Sequence, residues 1–233
     1  MIRVATYNVH KLVGADGKWN ADRVLKVISA LNADILGIQE FVVDPKITRA
    51  PSAEDFAASG GYRLMQQRLR RRNGEYQYNL LLTRMEPRVT RLIDMVLEGR
   101  EPRGAILADF EIEGRMFRVV NTHLALDPLA RRRQLEIVLE RNRSLEDMPL
   151  VLMGDFNASI PYGLVDRKLR QDFPGHNWPA TFPARWPVAA TDRIGVHPGS
   201  ALRSLRAYSR EPARIASDHL PLVAEIAFDE AGG

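Results

Sequence analysis

The sequence contains no cysteine, which excludes disulfides, thiolate nucleophiles and zinc sites built on Cys. It also lacks any run approaching the ~20 apolar residues that a membrane-crossing helix needs. Its opening, MIRVATYNVH, has no basic region followed by a long apolar stretch. It reads as a first strand and not as a signal peptide, so the expected location is the cytoplasm. No G-x-S-x-G elbow, H-E-x-x-H helix or dinucleotide fingerprint occurs, which sets serine-hydrolase, zincin and Rossmann chemistry aside. Gly14-Ala15-Asp16-Gly17-Lys18 resembles a phosphate loop only superficially, because the spacing is wrong and Trp19 follows the lysine. No internal repeat, low-complexity tract or shift in composition divides the chain, and one domain over 1–233 is expected.

What is present fits one soluble globular domain. The chain has 233 residues, 45% hydrophobic and 27% charged, enough to bury a core without a metal or disulfide staple. The net charge of +4 is carried almost wholly by arginine. The clusters Arg70-Arg71-Arg72 and Arg131-Arg132-Arg133 could meet phosphates, since guanidinium forks match phosphate oxygens, or could lie on solvated faces.

Apolar runs set out the elements. Residues 2–8, 34–40, 62–66, 77–83 and 88–96 read as strands, followed by a hairpin of 104–112 with 116–121. Further strands are expected at 150–153, 190–196, 202–208 and 220–228. Helical spacing appears at 21–31 with Asn20 as N-cap, at 53–59 before Gly60 and Gly61, at 128–145, and near 161–170. Strands outnumber helices without strict alternation, which suggests a mixed-sheet α/β protein and not a doubly wound one. A Pro- and Trp-rich loop near 172–187 carries Trp178, Phe182, Arg185 and Trp186. Those rings could stack on a substrate or simply pack the loop onto the sheets.

The polar residues at the ends of these runs carry the chemistry. They are Asn8, Glu40, His123, Asp155 with Asn157, Asp192, and Asp218 with His219. Carboxylates are costly to bury, so several directly after core strands need a cause. A hard cation supplies one, because Mg²⁺ and Mn²⁺ favour carboxylate and amide oxygens, while histidines suit phosphate contact or proton transfer. Taken singly each residue has a plain structural reading. Asn8 could bond a turn, Glu40 could be a surface acid, and His123 could be a satisfied core histidine. Asp155 and Asn157 suit a turn, Asp192 could pair with Arg193, and Asp218 with His219 could cap a strand. Eight residues so placed by coincidence are harder to accept than one shared site.

The order of Thr6-Tyr7-Asn8-Val9-His10, Gln39-Glu40, Asn121-Thr122-His123-Leu124, Gly154-Asp155-Phe156-Asn157 and Ser217-Asp218-His219-Leu220-Pro221-Leu222 resembles the endonuclease/exonuclease/phosphatase superfamily. The likeness runs from Asn8 to His219. It implies a two-sheet α/β sandwich of mixed strands flanked by helices, of the four-layer deoxyribonuclease I type, and a metal-dependent phosphoesterase. By that resemblance Glu40, Asn8 and Asp218 bind Mg²⁺ or Mn²⁺. Asp155 orients or deprotonates the attacking water, and Asn157 positions water or phosphate. His219, oriented by Asp192, contacts the scissile phosphate, and His123 is a second histidine on the phosphate side. Asn79 falls where many members carry Gly-Asn, but Tyr78 replaces that glycine. The substrate stays open between nucleic acid, met through the basic surface, and a small or lipid phosphoester. The chain would act as a monomer. The rival is a non-catalytic binding module that keeps the fold. Specificity segments are expected at 41–58, 67–77 and the loop at 172–187.

Overall fold

The computed structural model describes residues 1–42, 50–70, 76–160 and 163–228. The first half runs β1 (Ile2–Asn8), α1 (Ala21–Leu31), β2 (Ile35–Phe41), α2 (Ala53–Ser59), β3 (Arg63–Arg70), β4 (Tyr76–Thr83) and β5 (Val89–Asp94). It continues with β6 (Gly104–Ile112), β7 (Arg115–His123), α3 (Pro128–Arg143), β8 (Leu150–Asp155) and α4 (Leu164–Asp172). The chain then forms β9 (Asp192–His197), β10 (Leu202–Ala207), a four-residue helix α5 (Ala213–Ala216) and β11 (Leu222–Ile226).

The helices start where the sequence supplies caps. Asn20 accepts a hydrogen bond from the Arg23 amide (3.1 Å), Ser52 and Asp55 form a capping box, and Asp127 accepts from Ala130 N (2.8 Å) ahead of Pro128. Val24, Val27, Ile28 and Leu31 bury one stripe of α1, as the 3.6-residue period requires.

Two mixed sheets face each other with helices on the outside, the expected architecture. A six-stranded sheet has the order β10-β11-β1-β2-β4-β3, and a five-stranded sheet has β5-β6-β7-β8-β9. β1 and β2 run parallel, as do β7 and β8, while the other pairs are antiparallel. Alternation sorts the side chains. Val4 of β1 and Ile35 of β2 enter the core between the sheets, while Ala5, Tyr7, Leu36 and Ile38 pack outward with α1 and α2.

Several strands run past their apolar stretches. β7 reaches His123 and β8 reaches Asp155 because the parallel ladder continues through Thr122↔Gly154 to His123↔Asp155. The strands expected at 116–121 and 150–153 each stop two residues earlier, whereas backbone pairing carries the polar ends along. The helix expected near 161–170 begins at Leu164, and residues 161–162 lie outside the described set.

The loop at 172–187 divides its rings. Trp178 is buried, donates from Nε1 to Ile194 O (3.2 Å) and lies 4.8 Å beneath the Arg193 guanidinium. Phe182 lies against His219 in a tilted arrangement, with ring centroids 4.9 Å apart, and Trp186 is 79% exposed. His176 accepts the Val196 amide at Nε2 (3.0 Å), which puts its proton on Nδ1 facing Pro174 O (3.3 Å).

Burial lowers the His176 pKa, outweighing the upward pull of the Pro174 contact. Protonation would also remove the acceptor that Val196 needs. The unfolded chain therefore binds this proton more readily, so the stability held above about pH 6.5 is lost as pH falls below that value through the lowered pKa of the folded ring. An NMR titration is expected to show the His176 ring changing charge below about 6.5. Titration at or above the free-imidazole value would show this account to be wrong.

Candidate active site

The site lies where the core between the sheets changes from apolar to polar. Along β1 the inward positions read Val4, Thr6, Asn8; along β2 they read Ile35, Gly37, Gln39. Across the gap, Asn121 and Met153 approach Gly37, and the same alternation carries the inward face on to His123 and Asp155. A buried amide network marks the change. Gln39 donates to Thr6 Oγ1 (3.0 Å) and Asn121 Oδ1 (2.6 Å), and Asn121 donates to Leu80 O (2.9 Å). Beyond it, β1, β2, β7 and β8 all end at one edge, while antiparallel β9 begins there with Asp192 opposite Asp155.

Glu40 breaks the alternation. Strict pleating would send it outward with Leu36 and Ile38. The β2–β4 register instead shifts between Ile38 and Phe41, and Glu40 takes φ +57°. That bulge brings Glu40 Oε1 to 3.4 Å from Asn8 Nδ2 and 3.8 Å from His123 Nε2. A left-handed non-glycine residue costs about 1–3 kcal/mol, and such strain collects where geometry serves a site.

Asp155 is the hub. Its Oδ2 accepts from Asn8 Nδ2 (2.9 Å) and its Oδ1 from Asn157 N (2.8 Å). Its Oδ2 also lies 3.7 Å from His123 Nε2 and 3.9 Å from His219 Nε2. Asn157, another left-handed residue (φ +50°), spans from His123 Nε2 (3.1 Å) to Leu124 O (2.9 Å) through its Nδ2. His219 Nδ1 donates to Asp192 Oδ2 (2.9 Å), which also accepts from Thr181 Oγ1 (2.5 Å) and Thr191 Oγ1 (3.0 Å).

Charge follows from this packing. Burial pushes the Asp155 carboxyl up to about 6, Asp192 adds to that, and His219 opposes it. Burial disfavours the His219 cation, but Asp192, Asp155 and Asp218 outweigh it and raise the ring to about 10. Asp192 and His219 thus form a buried ion pair whose imidazolium Nε2 faces Asp155.

Seven of the eight expected site residues are linked through these short contacts. Asp218 joins from the rim. Ser217 Oγ donates to Asn8 O (2.7 Å) and lies 3.4 Å from Asp218 Oδ1, which is 4.0 Å from His219 Nε2 and 3.6 Å from His10 Nδ1. Asn79 stands apart; it is buried between the sheets and donates to Gly104 O (3.0 Å). Sequence reasoning did not assign Thr181, Thr191 or Ser217. Thr181 stands beside the Phe182-Pro183 pair, yet nothing in a lone threonine foretells a bond to Asp192.

Asp155, Asp192 and His219 each offer a ligand atom, all within 4.8 Å of one another, which makes a possible metal site. The donors fit a cation in part. Asp192 Oδ1 is buried without a hydrogen-bond partner, but Oδ2 and His219 Nδ1 are committed to each other. Glu40 Oε1, by contrast, has only a long contact from Asn8 and stays partly open, as does Asp218. An oxygen-rich set of this kind suits a hard divalent ion.

The model of the Endonuclease/Exonuclease/phosphatase family matches residues 5–219. Among solved structures, a conserved protein of unknown function from Enterococcus faecalis V583 superposes with a TM-score of 0.77, 22% identity and coverage of 97% of this chain and 99% of that one. A mannosyl-6-phosphatase from Bacteroides thetaiotaomicron VPI-5482 gives 0.75 and 19%, covering 98% and 100%. The human Nocturnin catalytic domain, with sulfate bound, gives 0.73 and 21%, covering 98% and 93%. No curated protein matches the chain. At these identities the structural likeness shows the fold alone.

Proposed function

Because the chain belongs to the endonuclease/exonuclease/phosphatase family, we propose that it hydrolyses a small phosphoester by attack of water that Asp155 activates, with Mg²⁺ or Mn²⁺ as cofactor. The observation that carries this reading is the buried Asp155 carboxylate set between two imidazoles, one of them held cationic by Asp192.

Asp155 takes the proton of the attacking water, its basicity raised by burial. Asn157 fixes Asp155 through its backbone amide and offers its side-chain amide toward His123. His219, kept in one tautomer by Asp192, Thr181 and Thr191, presents an Nε2–H to a phosphoryl oxygen, and His123 meets the same group. Glu40, Asn8 and Asp218 would hold the cation: the Glu40 and Asp218 oxygens have only long contacts, and the buried Asn8 would offer its Oδ1, which here accepts from His10 N (2.9 Å). When bound, the ion neutralises phosphoryl charge and stabilises the leaving oxygen. Ser217 Oγ donates to Asn8 O (2.7 Å), so the two ends of the chain build one site, in keeping with a single domain.

Surface charge favours a small substrate over a nucleic-acid backbone. Exposed arginines lie beside acids: Arg63 with Glu86 (2.7 Å), Arg88 with Glu111 (2.9 Å), Arg132 with Glu136 (2.8 Å) and Arg143 with Asp172 (3.0 Å). Phosphate tracking along a strand needs guanidinium groups free to displace counterions. The other arginine cluster, at 70–72, has only Arg70 among the described residues.

The test is hydrolysis of small phosphomonoesters and phosphodiesters, beside supercoiled plasmid, with Mg²⁺, Mn²⁺ or EDTA. Small esters are expected to be cleaved with either ion, to resist with EDTA, and to be cleaved again on adding metal back. Metal-dependent nicking of the plasmid would replace the small-substrate reading with a nuclease. Inert enzyme under every condition would favour a binding module.

A further inference from the structure

The three consecutive arginines at 131–133 separate by helical phase. Arg132 and Arg133 are exposed on α3, and Arg132 reaches Glu136 (2.8 Å) while Arg133 approaches Glu140 (3.5 Å). Arg131 shares instead the phase of Gln134, Leu135 and Val138, the buried stripe of the helix. That stripe is tied to the loop leaving His123, because Gln134 Oε1 accepts from Ala125 N (2.8 Å) and its Nε2 donates to Met95 O (3.4 Å). Arg131 is half-buried, and its Nε is enclosed without a hydrogen-bond partner.

The acids near it are engaged elsewhere. Asp127 caps α3 through Ala130 N and lies 3.3 Å from Arg100, and Asp155 is bound by Asn8 and Asn157. Burial lowers the Arg131 pKa, opposed by the charges of Asp155 and Asp127, so its guanidinium lies within the field of the catalytic carboxylate. A partly desolvated guanidinium with an unsatisfied donor is unfavourable until an anion reaches it. Its planar fork matches two oxygens of one phosphate.

We propose that Arg131 binds nonbridging oxygens of the substrate's phosphoryl group from the α3 side of the site. This rests on the phosphoester reading given above. The guanidinium would add a fixed positive charge to those of His219 and the cation, where negative charge develops. Neighbouring Arg132 and Arg133 take no part.

Inorganic phosphate is the probe, with Mg²⁺ present, measured by calorimetry and by the rise in thermal midpoint that a bound ligand gives. Arg131→Met is expected to bind phosphate about 10–100-fold more weakly than the unaltered protein. Its midpoint without phosphate should not fall, because methionine keeps the apolar stem and removes an unpaired charge. Arg131→Lys should recover part of the binding, having the charge but not the fork. Turnover of a small phosphoester should fall in the same order. Phosphate binding unchanged in Arg131→Met would overturn the proposal, as would a midpoint lowered in both variants with an unaltered phosphate response. A protein that hydrolyses no phosphoester yet binds phosphate through Arg131 would overturn the hydrolase reading and leave this one standing.

Discussion

Replacing Asp155 with asparagine is expected to lower phosphoester turnover by about 10²–10⁴-fold, the span a positioned general base contributes. The two side chains share a shape, so packing around β8 is retained. One oxygen remains to accept from Asn157 N or Asn8 Nδ2 (2.8 and 2.9 Å in the parent), and the lost bond costs on the order of 1 kcal/mol. Against that, burial disfavours the Asp155 charge, since its carboxyl is pushed up to about 6, and removing the charge offsets the loss. Stability should therefore change little while kcat collapses. Steady-state kinetics beside a urea melt separates the two. Turnover within tenfold of the parent would remove Asp155 from the role of base, whereas a large loss of stability would show that it chiefly holds the strands together.

The sequence made the end of the sandwich legible through one physical contrast, carboxylates and amides standing where apolar strands stop. Asn8, His123 and Asp155 follow from that contrast, because each continues the inward face of its own strand. Glu40 does not. Its alternation points outward, and only a bulge with positive φ turns it inward, which no count of polar and apolar residues contains. Asp192 is visible as an acid near a strand start and Thr191 is its chain neighbour, but Thr181, which completes the saturation of its Oδ2, is brought to it by the preceding loop. The arginine cluster at 131–133 shows the same limit. Composition sees three equal charges, and the helix turns one inward and two toward glutamates. Short-range pattern is thus written in the chain, while pairings across 30 or more residues emerge from the way the two sheets close.

Gly154→Ala is expected to cost about 4 kcal/mol, a large share of the 5–15 kcal/mol that holds a domain of this kind folded. Gly154 has φ +145°, a conformation L side chains rarely adopt, and an added Cβ would collide with Thr122 O and fall 2.8 Å from its carbonyl carbon. Both obstacles are backbone, so no rotamer change relieves them. β7 cannot retreat freely either, because Thr122 is paired on its other side with Ala105 of β6. Any displacement passes directly to His123 and Asp155, the next pair in the ladder, and turnover should fall even in the molecules that remain folded. Gly114 supplies the control. Its φ is +79° and nothing lies within 4 Å of the place an added methyl group would take, so alanine there meets only the left-handed backbone penalty of about 1–2 kcal/mol. Urea unfolding of both variants distinguishes strain from collision. A Gly154→Ala loss no greater than that of Gly114→Ala would mean that β7 and β8 can part without cost, and the close approach of these strands would then not be what fixes the spacing of His123 and Asp155.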